Sequence, residues 1–126
     1  MLGFPDLSIS ADLRLVAKEY DLGGIILFGR NIEEPEQVAE LSHDAQALSK
    51  ESPLWVSVDQ EGGAVARLRE PFTIWPSMRR LGDSGDLDLA RQFGQALARE
   101  LMAVGVTLNY APVLDVHTNE DNPVIG

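Results

Sequence analysis

A run of four apolar residues, Ile25–Phe28, constrains the fold of this chain more than any other feature. A strand with one face in water alternates between polar and apolar residues, and this run does not alternate. Such a run is typical of a strand buried on both faces, as in parallel sheets. Leu54–Val58 and Val106–Tyr110 are predicted to be further strands.

The segments between these strands carry the apolar spacing of amphipathic helices. Ser10 is a suitable N-cap for a first helix, Pro35 suits the first turn of a second, and a third is predicted from about Asp86 to Val104. The residues expected on buried faces are Leu13, Val16, Ala17 and Tyr20 in the first helix, Val38, Leu41, Ala45 and Leu48 in the second, and Leu89, Phe93, Leu97, Leu101 and Val104 in the third. Strands that alternate with helices indicate a parallel sheet with right-handed crossovers.

Polar side chains gather where the predicted strands end. Arg30 and Asn31 follow the first strand, Asp59, Gln60 and Glu61 follow the second, and Asp115 and His117 lie a few residues beyond the third. In a (β/α)₈ barrel the functional residues stand on the loops at the carboxyl ends of the strands, and open α/β sheets use the same edge. The pattern therefore predicts a site at this edge and leaves both architectures open.

The segment Val58–Gly63 combines a strand-end carboxylate, Asp59, with two glycines that let the chain turn sharply and let a ligand approach the backbone. A carboxylate can accept hydrogen bonds from two neighbouring hydroxyls of a sugar. Arg67 could pair with Asp59 or donate to a ligand oxygen. A loop whose acids are merely solvated fits the same residues. The stretch from Gln60 to Gly85 has no clear period and is long for a plain connection.

A second interpretation of the same region is a metal site. Asp59, Glu61, Asp115 and His117 offer the oxygen and imidazole ligands that suit magnesium, manganese or zinc, although their spacing is not specific. Two other kinds of catalytic motif do not occur in the sequence. It contains neither a Gly-x-Ser-x-Gly nucleophile elbow nor a glycine-rich loop of the kinds that bind nucleotide phosphates.

The composition excludes several classes of protein. The formal net charge is −10, with acidic residues spread along the chain, so neither nucleic acid nor an anionic membrane is an expected partner. There are no cysteines, which excludes disulfides and thiolate sites. The segment Met1–Pro5 does not resemble a signal peptide, so a cytoplasmic location is expected.

Four segments of the chain resemble consecutive blocks of the family 3 glycoside hydrolases, in matching order and spacing. They are Gly23–Asn31, Val58–Gly63, Ala111–Val116 and Asn122–Gly126. The second and fourth blocks resemble those of the bacterial β-N-acetylhexosaminidase branch. The resemblance implies a TIM-type barrel that removes terminal N-acetylglucosamine from β-linked glycans such as cell-wall fragments, with retention of configuration and without a metal or other cofactor.

The resemblance also assigns roles to individual residues. Asp59 matches the family's aspartate that accepts from sugar hydroxyls, and Arg67 matches a substrate-binding arginine. Asp115 matches a position with a structural role, and Ala64 stands where the family often has arginine. The family's nucleophilic aspartate, its acid/base histidine and its Lys-His pair come from later loops, so the resemblance implies no catalytic residue within this chain.

The expected fold is therefore the N-terminal part of a TIM (β/α)₈ barrel, with residues 1–126 as a single partial domain truncated before closure. Such a barrel takes about 200–250 residues, so the chain alone is expected to be inactive. The alternatives are a family 3 glycosidase for another sugar, such as a β-glucoside or β-xyloside, a non-catalytic sugar-binding remnant, and a metal-dependent hydrolase.

Overall fold

A computed structural model describes residues 1–49, 52–119 and 121–124, and it has the predicted α/β character. The elements in chain order are α1 (Ala11–Glu19), β1 (Gly24–Leu27), a 3₁₀ turn (Gly29–Asn31), α2 (Pro35–Gln46), β2 (Trp55–Val58), β3 (Gln60–Gly62), β4 (Val65–Ala66), α3 (Met78–Ser84), α4 (Leu87–Ala103) and β5 (Leu108–Asn109).

The main sheet of the described residues is parallel, with the strand order β1-β2-β5. Leu27 pairs with Val58, and Val58 pairs with Asn109, so the three strands end at one level. On the outer side of β1, Leu2 forms a parallel bridge with Ile25. Whatever follows β1, β2 and β5 is thereby brought to a common edge.

The core lies between this sheet and helices α2 and α4. Ile25 and Leu27 of β1 and Val56 and Val58 of β2 are completely buried. The parallel pairing predicted from the unbroken run is confirmed, but Ile26, on the other face of β1, is only half-buried. Burying a Val, Leu or Ile side chain contributes about 1.5–3 kcal/mol. The helices bury residues of the predicted stripes, namely Val38, Leu41 and Ala45 from α2 and Leu97 and Leu101 from α4.

The helix boundaries follow from capping. The Ser10 side chain accepts a hydrogen bond from the Leu13 N–H at 3.2 Å and caps α1, while Pro35 is the first residue of α2. The predicted limits of the third helix, Asp86 and Val104, are the N-cap and C-cap of α4. Each signal acts within one turn, which explains why the sequence predicts these ends closely.

Two residues predicted to be buried are instead exposed. Tyr20 is 70% exposed because it is the C-cap of α1 and has left the helical conformation. Leu89, in the first turn of α4, is 45% exposed. Further along, α4 borders an open apolar cleft of about 470 Å³, with Phe93 and Leu108 on its wall.

The long connection after β2 has more structure than its sequence pattern indicates. Strands β3 and β4 form a short antiparallel hairpin, and α3 follows before α4 begins. The two strands have three and two residues, which is too short for any period to be visible. Helix α3 ends at Gly85, which adopts the left-handed conformation with φ 62°.

The last predicted strand is shorter than expected. Only Leu108 and Asn109 form β5, although the N–H of Thr107 and that of Tyr110 also donate to carbonyls of β2. Within the described ranges, β5 is an edge strand and the sheet stays open rather than closing into a barrel. No helix in those ranges is long and apolar enough to cross a membrane.

Candidate functional site

Asp59 and Arg67 meet at the carboxyl edge of the sheet. Asp59 follows the last residue of β2, and the β3–β4 hairpin returns the chain so that Arg67 stands beside it. Arg67 Nη2 lies 3.3 Å from Asp59 Oδ2, with the two side chains 31% and 25% exposed. The pairing that the sequence allowed is therefore present. A partly exposed pair of this kind contributes only about 0–1 kcal/mol to stability.

The guanidinium of Arg67 is incompletely satisfied. Its Nε is buried and has no hydrogen-bond partner among the described residues. Leaving a buried donor unpaired costs free energy, about 1–3 kcal/mol for a typical group. Buried polar atoms without a partner are rare in folded proteins, and a role in a functional site is one explanation for them.

Gln60 is a further residue of the site, and its role was not predicted. Its side chain is completely buried beneath the hairpin. Oε1 accepts from the N–H groups of Arg67 (2.8 Å) and Leu68 (3.0 Å), and Nε2 donates to the Leu68 carbonyl (3.0 Å). A glutamine between two acids gives no sequence signal of burial, because the hairpin that covers it is itself not visible in the pattern.

The two glycines of the motif serve packing as well as turning. Gly62 and Gly63 have positive φ values of 95° and 59°. A Cβ on Gly62 would lie 2.1 Å from the Pro76 carbonyl oxygen, and the Gly63 N–H donates to the Trp75 carbonyl at 2.9 Å. The predicted turn is confirmed. On the side where a Cβ of Gly62 would lie, the protein's own backbone occupies the space.

Glu61 faces a second cleft, next to the ion pair. Burial raises the pKa of Glu61, and the neighbouring carboxylate of Asp59 raises it further, whereas a hydrogen bond from the Val113 N–H and the charge of Arg67 lower it. Asp115 and His117 line the same cleft, which has a volume of about 440 Å³. Glu61 thus joins the hairpin to the loop that follows β5.

The sequence matches the family described as "Glycosyl hydrolase family 3 N terminal domain" over residues 1–126. The chain belongs to glycosyl hydrolase family 3. The resemblance read from the four sequence blocks is confirmed, and the open sheet is the N-terminal part of a TIM-like barrel.

Known family 3 proteins are similar to this chain over most of its length. A "Beta-hexosaminidase" of Nitrosomonas eutropha is 49% identical over 111 residues, which are 83% of this chain and 31% of the relative. A β-N-acetylglucosaminidase from Paenibacillus sp. str. FPU-7 superposes with a TM-score of 0.92 at 45% identity, covering all of this chain and 24% of that one. NagZ from Neisseria gonorrhoeae, in complex with N-trifluoroacetyl-D-glucosamine, gives a TM-score of 0.84 at 36% identity, covering 92% and 36% of the two chains. The chain spans about a third of the length of the curated relatives it matches.

Not every polar residue at the strand ends of this family 3 chain belongs to the site. Asn31 is completely buried, and its Nδ2 donates to the carbonyls of Phe4 and Asp6 at 3.0 and 2.7 Å. Arg30 Nε donates to the same Phe4 carbonyl at 2.9 Å, and its guanidinium stacks 4.7 Å above the Phe28 ring. The functional interpretation of these two residues is therefore replaced by a structural one, since they hold the N-terminal segment.

The metal interpretation is also corrected. Among the described residues, which include Asp59, Glu61, Asp115 and His117, no group of three or more acids and histidines is arranged to hold a metal ion. The reason is visible at Asp59, whose carboxylate turns to Arg67. His117 Nδ1 is buried without a hydrogen-bond partner in the described part of the chain.

Proposed function

We propose that this chain supplies the sugar-holding part of a retaining, exo-acting β-N-acetylhexosaminidase that removes terminal N-acetylglucosamine from glycans such as cell-wall fragments. The observation that carries the proposal is the Asp59–Arg67 pair at the carboxyl edge of a family 3 sheet. The names of the relatives support the reaction, and the glucosamine derivative bound to the gonococcal protein supports the substrate.

The two side chains have complementary tasks in this proposal. The carboxylate of Asp59 accepts hydrogen bonds from two neighbouring sugar hydroxyls. Arg67 donates to a sugar oxygen from its position beside Asp59. The substrate is neutral, so the excess of acidic residues in the chain does not oppose its binding. Neither residue breaks the glycosidic bond.

Bond cleavage needs groups that we assign to the remainder of a longer protein. A retaining glycosidase uses a nucleophile and an acid/base group on opposite sides of the bond. The family resemblance attributes these to loops that follow the four matched blocks. Residues 1–126 are accordingly proposed as one partial domain with binding residues and without catalytic ones. A cytoplasmic location stays a prediction.

Replacing Asp59 by alanine tests the assignment. Hydrogen bonds to a charged group are worth about 1.5–3 kcal/mol each, so losing two of them should lower kcat/KM about 100-fold or more. The measurement is hydrolysis of an aryl β-N-acetylglucosaminide by the longer protein that contains this chain. Unchanged kinetic constants would remove Asp59 from the site.

Asp44→Ala provides the matched control. Asp44 is also a carboxylate paired with an arginine, 3.6 Å from Arg14, but it lies on α2 and is half exposed. Its removal is expected to leave kcat/KM within about twofold, because surface ion pairs contribute little. A comparable loss in both variants would mean that the effect is general and not specific to sugar binding.

Two alternatives remain distinguishable by substrate. A family 3 enzyme for another sugar would hydrolyse aryl β-glucosides or β-xylosides as well as the N-acetylated substrate, whereas the proposed enzyme requires the N-acetyl group. A non-catalytic remnant would bind N-acetylglucosamine in a calorimetric titration, and the longer protein that contains the chain would turn over none of these substrates.

A further inference from the structure

We propose that two amide side chains, Gln60 and Asn109, position Asp59 and Arg67 for sugar binding. The proposal rests on the function assigned above and deepens it, because it identifies uncharged residues that set the geometry of the charged pair. Both are positioning residues, and neither is expected to touch the sugar.

The first link is between Asn109 and the backbone of Gln60. Asn109 is the last residue of β5, and its Oδ1 accepts from the Gln60 N–H at 2.9 Å. Its Nδ2 donates to the Gln60 carbonyl, also at 2.9 Å. Both backbone groups of Gln60 are thus bonded by one side chain, as a neighbouring strand would bond them. The sheet is in effect extended beyond Val58, where the backbone pairing of β2 with β5 ends.

This extension fixes Asp59 from both sides. Before it, the Val58 carbonyl accepts from the Tyr110 N–H at 3.0 Å. After it, Gln60 is held by Asn109. The backbone of Asp59 therefore lies between two anchored residues, and its side chain leaves the sheet edge in a defined direction.

The second link is between the Gln60 side chain and the residue that pairs with Asp59. The buried amide accepts from the Arg67 N–H and bonds both backbone groups of Leu68. Leu68 is itself 1% exposed and packs in the core. A continuous set of neutral hydrogen bonds thus runs from β5 through Gln60 to the backbone of Arg67.

The ion pair is too weak to set this geometry by itself. Its contact is 3.3 Å long and both side chains are partly in water, which makes such pairs poor restraints. A sugar that bonds to Asp59 would also compete with Arg67. Positioning by buried neutral amides leaves both charged groups available to the ligand, and preorganisation of this kind lowers the cost of binding.

The decisive comparison uses two buried amides with equal numbers of hydrogen bonds. Gln60→Met removes three bonds beneath the site. Asn31→Leu also removes three, those to Phe4, Asp6 and Phe28, at the N-terminal segment. Both variants of the longer protein should be less stable, but only Gln60→Met should raise KM for the aryl N-acetylglucosaminide, by about tenfold. Equal KM values in the two variants would overturn the proposal.

Asn109→Ser is the milder variant, for the case in which Gln60→Met does not fold. Asn109 is half-buried, and the shorter side chain cannot reach both backbone groups of Gln60. We expect a threefold to tenfold rise in KM with kcat reduced less than twofold. A fall in kcat alone would contradict a role in holding the sugar.

Amide hydrogen exchange separates failure of this proposal from failure of the proposed function. In the longer protein that contains this chain, Asn109→Ser should speed exchange at the N–H groups of Gln60 and Arg67 at least tenfold, while exchange at Asn31 is unchanged. If exchange became faster at Gln60 but not at Arg67, the proposed link from Asn109 through Gln60 to Arg67 would be contradicted. If the expected exchange pattern were found but the protein did not hydrolyse N-acetylglucosaminides, the proposed function would be refuted. The positioning role of Gln60 and Asn109 would still stand.

Discussion

Glu61 is separated from Asp59 by one residue, and its ionisation is shifted by its surroundings. Its pKa lies above the usual value of 4.5, first because of burial and second because of the Asp59 charge. The folded protein therefore binds the Glu61 proton more tightly than the unfolded chain does. The stabilisation by that proton is complete below pH 4.5 and is lost as the pH rises through the folded-state pKa.

Glu61→Gln should remove this loss. The glutamine is neutral at every pH and keeps an oxygen that can accept from the Val113 N–H. At each pH, the free energy of unfolding of the original chain is subtracted from that of the variant. This difference is expected to be more positive at pH 7 than at pH 4. Urea denaturation at both pH values measures it, and an equal difference at the two would contradict the disturbed pKa.

The segment Val58–Gly63 and the arginine after it indicate some residues of the site but not all of them. Asp59 and Arg67 are visible because a strand-end acid and a following arginine form a pattern within a few residues. Whether an amide faces the core depends on what packs over it, which the local sequence does not encode. The role of Gln60 is therefore invisible in the sequence, and Asn31, with a similar appearance at a strand end, suggests a function that its buried contacts do not support.

Among the elements, the β3–β4 hairpin has its position set by a segment that precedes α3. Gly63 bonds to the Trp75 carbonyl, and Pro76 fills the space over Gly62. Glu100 of α4 holds this segment, accepting from the Thr73 N–H at 2.8 Å and from the Trp75 indole at 3.0 Å. The segment between β4 and α3 therefore links the hairpin that presents Arg67 to helix α4.

Gly62→Ala is expected to disturb this packing. Alanine would meet the Pro76 carbonyl oxygen at 2.1 Å and would also have to adopt a φ of 95°, so the free energy of unfolding should fall by about 2–4 kcal/mol, as for strain at a special backbone conformation plus a steric clash. Chemical denaturation measures the change.

Gly82→Ala is the control, since a Cβ at Gly82 would meet nothing within 4 Å and Gly82 lies within α3. Alanine is the better helix former by about 1 kcal/mol, so this variant should be as stable as the original or more so. Equal losses in the two variants would mean that the contact with Pro76 is not what constrains the hairpin.

The elements that the sequence predicts correctly share a local cause. The unbroken run of β1 and the caps Ser10 and Asp86 are decided within one turn or one short strand, and the structure agrees with them. The hairpin and α3 are decided by contacts with distant residues. Their sequences are short, and the prediction of a stretch without period from Gln60 to Gly85 misses both elements for that reason.

At the scale of the whole molecule, residues 1–126 are expected to bind sugar weakly and not to hydrolyse glycosides. The family resemblance attributes the nucleophile and the acid/base group to other parts of a longer protein, and Asp59 and Arg67 offer only hydrogen bonds. Incubation of the pure chain with a chromogenic β-N-acetylglucosaminide is the measurement. Turnover that disappears on Asp59→Ala would contradict the expectation, because it would locate catalysis within these residues.

The parallel sheet also has a consequence for how the chain acquires its structure. Gly24 pairs with Trp55, and Ser57 pairs with Leu108, so each ladder joins residues that are far apart in sequence. Closing loops of this length costs entropy before any ladder bond is gained, which places such topologies among the slower folders. Until β5 has paired with β2, the backbone N–H and C=O groups along that edge of β2 are unpaired and can bond to other molecules. Low temperature and low protein concentration should therefore favour the yield of refolded chain over aggregate.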